Sequence, residues 1–163
     1  MSEDKTRFSS PACAMQEAGD AYMGYATPAE MAAFLNELLE AERAESRVTL
    51  ESAREAGSGT VADVMTAIQR DEARWCAMLL RHIERLGAEP TATTGAFYGK
   101  AMAIAAMSER IAFLNRGQGW VVKKLRLMLP KVRDDGLHAD LEAMLRSHVA
   151  NIALADKLAA GTR

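Results

Sequence analysis

The stretch Leu35-Asn-Glu-Leu-Leu-Glu-Ala-Glu-Arg-Ala44 reads as one helical face interrupted by an acid. At about 100° per residue, Leu35, Leu38, Leu39 and Glu42 fall on one side, and Ser46 and Thr49 continue the stripe. Glu42 stands where a leucine is expected. An ionised carboxylate in that position is costly unless other groups compensate it, so the flanking chain is read for those partners.

The helix opens at Thr27-Pro-Ala-Glu30, where Thr27 can cap, Pro28 suits the first helical position and Glu30 completes a capping box. It runs to about Glu55, before Ala56-Gly-Ser-Gly59. A second helix, capped by Thr60 with Asp63 as the box acid, is expected to reach Leu86 before Gly87. Its stripe carries Val64, Ile68, Glu72, Trp75, Leu79, Ile83 and Leu86, so a second carboxylate points inward. Residues 87–107 form a long connection with a short helix around Phe97 to Ala105, enough chain to cross a bundle from end to end.

A third helix is expected to begin at Ser108 as its cap and to run to about Leu129, before Pro130. Ile111, Leu114, Val122 and Leu125 face inward together with two polar residues, Asn115 and Gln118. Gly117 and Gly119 flank Gln118. Each costs a helix about 1 kcal/mol relative to alanine, a cost with a purpose if a neighbouring group must approach the backbone. A charged turn, Lys131 to Gly136, leads to the fourth helix, Leu137 to about Ala159, whose stripe includes Leu141, Met144, His148, Ile152 and Ala159, with Asn151 at its edge.

Composition agrees with this pattern. The chain has 163 residues, 49% of them hydrophobic, only 6% aromatic and 4 of them proline, the profile of one helix-rich domain with a sizeable core. The expected fold is all-α, with an N-terminal arm over residues 1–26 and a helical domain over 27–163. A net charge of -2 offers no field for nucleic acid or anionic lipid. Cys13 and Cys76 form neither a metal pair nor a disulfide framework, which suits a reducing compartment. The first residues lack the apolar core of a signal peptide, and no run approaches the roughly 20 apolar residues of a membrane span. A cytoplasmic location is expected by default.

Each long helix thus carries an inward polar residue near its midpoint: Glu42, Glu72, Gln118 and His148. Side-by-side helices bring mid-helix residues into one layer. Two carboxylates and an imidazole are competent ligands for one divalent ion of iron, zinc or manganese, with an amide or water completing the shell. The same residues can instead form a metal-free hydrogen-bond network in which His148 pairs with Glu42 or Glu72, while Gln118 and Asn115 satisfy the remainder. They could also line a pocket for an organic ligand of unknown identity. His82 is expected at the side of the second helix and His138 at the start of the fourth, both at the surface or a helix end. Cys76 is expected in the core. No nucleophile–base pair, phosphate loop, dinucleotide fingerprint or Cys/His zinc motif is present, so no catalytic residue is assigned.

Over roughly residues 28–160 the chain resembles the ferritin-like superfamily, which includes rubrerythrins, bacterioferritins and di-iron carboxylate oxidases. Leu39-Glu-Ala-Glu-Arg-Ala44 is similar to the first-helix segment of that superfamily, with Glu42 in the ligand position. Glu72-Ala-Arg-Trp75 resembles its Glu-x-x-His motif with Trp75 in place of the histidine, and Leu145-Arg-Ser-His148 resembles the second such motif with Leu145 in place of the glutamate. Gln118 stands where the third helix would offer a carboxylate. Asp71 to Met78 and Phe113 to Val122 are similar to a bacterial branch of these proteins. The resemblance implies a four-helix bundle with a long crossover between helices two and three, a degenerate di-iron site holding one ion or none, and a homodimer. It leaves two functions in competition: a metal site used in metal handling or redox chemistry, and a metal-free scaffold that acts by association.

Overall fold

The computed structural model describes residues 19 and 23–161. Most of the expected arm over residues 1–26, including Cys13 and the helical turn expected at Ala12 to Ala18, lies outside the described residues. Among those described there are five helices and no strand.

Helix α1 spans Pro28–Ala56 and opens as the sequence predicts. The Thr27 hydroxyl accepts from the Glu30 amide at 3.2 Å, and the Glu30 carboxylate accepts from the Thr27 amide at 2.8 Å. Helix α2 spans Thr60–Arg85, but Thr60 is not its cap. Gly59, at φ 91°, takes the cap position without a side-chain bond, because a turn of three residues leaves Thr60 already helical. Leu86 falls just past the helix and is 37% exposed, outside the apolar stripe expected for it. Helix α3 spans Phe97–Met102, shorter than expected. Helix α4 spans Met107–Met128, with Ala106 extended before it, so Ser108 lies in the first turn and does not cap. A 3-10 turn at Leu129–Lys131 accommodates Pro130. Helix α5 spans Asp135–Gly161. It begins two residues before Leu137 because Asp134 in the charged turn accepts from the Leu137 amide at 2.7 Å and acts as its cap. Ala159 near its end is exposed.

Helix α1 packs along α2, and α4 along α5; the two pairs meet through α1 against α4 and α2 against α5. The apolar interior falls into two clusters. One contains Leu35, Leu38, Leu39, Leu79, Ile83, Leu125 and Met144, and the other Val48, Met65, Ile68, Ile111, Leu114 and Ala155. Along each long helix the break between the clusters falls at a buried polar residue: Glu42 and Glu45 on α1, Glu72 on α2, Gln118 on α4 and His148 on α5.

The connection from α2 to α4 is tied to the outer side of α1. Asn36 accepts from the Thr91 amide at 2.7 Å and donates to the Glu89 carbonyl at 3.1 Å. Glu40 accepts from the hydroxyls of Thr91 and Thr93, and Arg43 donates to the Thr91 carbonyl. At the far end Arg110, 4% exposed, donates twice to the Ile104 carbonyl, at 3.0 and 2.9 Å, and pairs with Glu55. Arg110→Ala is expected to destabilise the chain by about 2 kcal/mol, because the part-buried Ile104 carbonyl loses both donors and Glu55 loses its cation. Urea unfolding of the two proteins checks this; an unchanged midpoint would show that water replaces the guanidinium. No helix among the described residues is long and apolar enough to cross a membrane.

Candidate metal centre

Glu42 and Glu45 on α1, Glu72 on α2 and His148 on α5 are buried, and one ligand atom from each lies within 4.8 Å of all the others. Three of the four predicted site residues are therefore brought together. The fourth, Gln118, is fully buried on α4, with neither atom of its amide hydrogen-bonded among the described residues. Its neighbour Gly117 lies against Glu45: a β-carbon there would stand 2.6 Å from Glu45 Oε1. Gly117 thus allows the close approach anticipated from its cost to the helix, whereas nothing lies within 4 Å of such a carbon at Gly119.

Glu45 joins the group unannounced. Its signal was a seven-residue alternation, Leu35, Leu38, Glu42, Glu45, Thr49 and Ser52, all buried on α1. The stripe drawn through Leu39 and Ser46 ran slightly to one side of it, and Ser46 is only half-buried.

The imidazole is oriented by its own helix. His148 Nδ1 lies 3.0 Å from the Met144 carbonyl, which can only accept, so Nδ1 carries a hydrogen. Nε2 then faces the acids, 3.1 Å from Glu42 Oε1 and 3.9 Å from Glu72 Oε2. A histidine that ligates through one nitrogen and donates from the other to a backbone carbonyl is the ordinary arrangement at metal sites.

The carboxylates are poorly provided for. Apart from a proton that Glu42 and Glu72 can share between them, Glu42 Oε2, Glu45 Oε2 and both oxygens of Glu72 have no hydrogen-bond partner among the described residues, and the ion-pair partner of Glu42 and Glu72 there is His148 alone. Burial pushes Glu42 up to about 8, helped by the charge of Glu45 and opposed by a hydrogen bond from Glu72. Burial holds Glu45 and Glu72 well above the usual carboxylate range, with the Glu72 charge adding for Glu45 and the Glu42 charge adding for Glu72. Glu42 and Glu72 can share a proton, but this leaves most of the layer unsatisfied.

The expected hydrogen-bond network forms only in part: His148 Nε2 pairs with Glu42 Oε1 at 3.1 Å, but the amides of α4 and α5 do not reach the remaining acid oxygens. Asn115 turns to α5, donating to Asp156 at 2.8 Å and to the Ile152 carbonyl at 3.3 Å, and Asn151 donates to Asp71 at 3.3 Å. Gln118 bonds to nothing among the described residues. Three buried acids and one imidazole, short of donors and short of positive charge, fit a metal ion: a cation would supply both deficits.

Residues 29–157 match the family described as Domain of unknown function (DUF6306). The chain belongs to that family. No curated protein and no solved structure matches it. All four members of the cluster, and Gln118, lie within the DUF6306 match.

The other sequence-marked residues of the DUF6306 domain separate from the centre. His82 is buried, not superficial, because Asp140 on α5 reaches it at 2.7 Å; it is a helix-to-helix tie. Trp75 is buried with its indole N–H unpaired among the described residues, and Arg74 stacks on its ring 4.2 Å from the centroid. Cys76 is half-buried, and burial together with the charges of Glu42 and Glu72 pushes its thiol up to about 12, which leaves it unfit as a thiolate nucleophile.

Proposed function

We propose that the DUF6306 domain is a ferritin-like four-helix bundle, with the connection over α3 as its crossover, whose centre binds one divalent metal ion for metal handling or redox chemistry. Glu42, Glu45, Glu72 and His148 would hold the ion, with Gln118 the neutral member of the same layer. The observation that carries this is the polar layer: every long helix interrupts its apolar face at one level, and there the carboxylate oxygens lack donors.

Three carboxylates and one imidazole form an oxygen-rich donor set that manganese(II), iron(II) or zinc can use. Bound there, such an ion would act as a Lewis acid and, if iron, as a one-electron carrier. The protein's own part is to hold the His148 Nε2 lone pair inward through the Met144 carbonyl, to gather three negative charges, and to keep water out with the leucines and methionines on either side.

Thermal unfolding of chelator-treated protein tests this. Adding manganese(II), or iron(II) without oxygen, at about a hundred times its dissociation constant should raise the midpoint by roughly 5–10 °C. Magnesium, which dehydrates reluctantly, should do less. Equal midpoints with and without each transition metal would overturn the proposal.

A further inference from the structure

Beside the centre lies a cavity of about 430 Å³, a size suited to a small ligand. Its walls are apolar: Ala41 from α1, Ala96 and Phe97 from the crossover, and Phe113 and Trp120 from α4. Phe97 and Phe113 stack with ring centroids 4.9 Å apart. Most polar groups around it are already engaged. Glu37 pairs with Lys124 at 2.9 Å, Glu40 accepts from Thr91 and Thr93, and Arg116 lies over the Phe113 ring at 5.2 Å.

Glu45 is the exception. It is 1% exposed, its Oε2 has no hydrogen-bond partner among the described residues, and it belongs both to this cavity and to the acid cluster. Gly117 makes the arrangement possible. A β-carbon there would stand 2.6 Å from Glu45 Oε1 and 2.7 Å from Phe97 Cζ, so the glycine lets a carboxylate and an aromatic ring meet in the cavity wall.

The lining specifies the charge of an occupant. An ammonium would supply the positive charge that buried Glu45 lacks, and the aromatic faces attract cations, as Arg116 over Phe113 and Lys124 over Trp120 already show. An anionic head would meet Glu37, Glu40 and Glu45 against a single lining cation, Arg116, which lies over the Phe113 ring. A neutral apolar molecule would leave Glu45 without a donor. We propose that this cavity binds a small primary amine with an aromatic or aliphatic body, its ammonium donating to Glu45 and its body held among Phe97, Phe113 and Trp120. The amine site goes beyond the metal centre. It shares Glu45 with that centre but needs no ion.

Calorimetric titration of the chelator-treated chain with 2-phenylethylamine tests it, with 2-phenylethanol and 3-phenylpropionate as neutral and anionic counterparts. The amine should bind saturably, at least about tenfold more tightly than the alcohol, and the acid not at all. Glu45→Gln should weaken the amine about tenfold or more while leaving the alcohol unchanged, and Gly117→Ala, which crowds the wall, should weaken both. Circular dichroism establishes that each variant is folded. Equal affinity for amine and alcohol, amine binding indifferent to Glu45→Gln, or no saturable amine binding up to about 10 mM would overturn the proposal. The melting temperature of the same preparations with and without added manganese(II) separates the two ideas: amine binding without a metal-induced rise would sink the metal centre alone, and the reverse would sink the amine site alone.

Discussion

Glu72→Gln is expected to make the metal-free chain more stable and deaf to metal. The substitution keeps the shape of the side chain and removes one of three buried acids that repel one another and lack donors. Replacing a buried, uncompensated charge by a neutral group of the same volume commonly gains on the order of 1–3 kcal/mol, or roughly 5 °C for a chain of this size. The gain should grow with pH, because burial raises the Glu72 carboxyl and at the acid end of the range little charge is left to relieve. The same variant should lose the metal-induced rise in melting temperature. Paired thermal scans, with and without manganese(II), at pH 5.5 and 8.5 check both halves. A variant less stable than wild type at pH 8.5 without metal would mean that Glu72 has a cationic or donor partner after all.

The second large effect is a reversal of pH dependence. Burial pushes Glu42 up to about 8 in the folded chain from an ordinary value of 4.5, so between those limits the folded state keeps a proton that the unfolded state has lost. Stability from this group is fully present below about 4.5 and is lost as pH rises through about 8. Glu45 and Glu72, raised in the same direction by burial, act in the same sense. The metal-free melting temperature should therefore fall by roughly 10 °C between pH 5 and pH 8.5. With saturating metal the slope should turn over, since the ligands must shed their protons to bind and the ion gains as pH rises. Scanning calorimetry across the range checks it. A metal-free midpoint that climbs steadily from pH 5 to pH 8.5 would show the acids to be ionised and already compensated.

Much of this was legible from periodicity. Glu42, Glu72 and His148 announced themselves as interruptions of apolar faces, a local property of each helix. Gln118 did so too, and it is buried as expected. Glu45 was harder, because a helix of 3.6 residues per turn lets two nearby stripes be drawn through one segment, and only the packing of α1 against both neighbours selects between them. The chain ends of the helices were read least well: Thr60 and Ser108 have the chemistry of caps, yet Gly59 and the extended Ala106 set the starts of α2 and α4. His82 was misplaced because its partner, Asp140, is 58 residues away and belongs to another helix. The anchoring of the connection from α2 to α4 was illegible for the same reason, since Asn36 and Arg43 bond to backbone atoms about 50 positions on. The cavity beside Glu45 depends on Phe97, at the start of α3, reaching Gly117 on α4, a meeting that no single helix encodes.

The most direct test of a metal ion held by three acids and one imidazole is anomalous diffraction from crystals of the untagged chain grown with manganese(II). The account predicts one strong peak per chain, roughly 2.0–2.3 Å from His148 Nε2 and from carboxylate oxygens of Glu42, Glu45 and Glu72. Fully formed density for these side chains with no anomalous peak among them would contradict it.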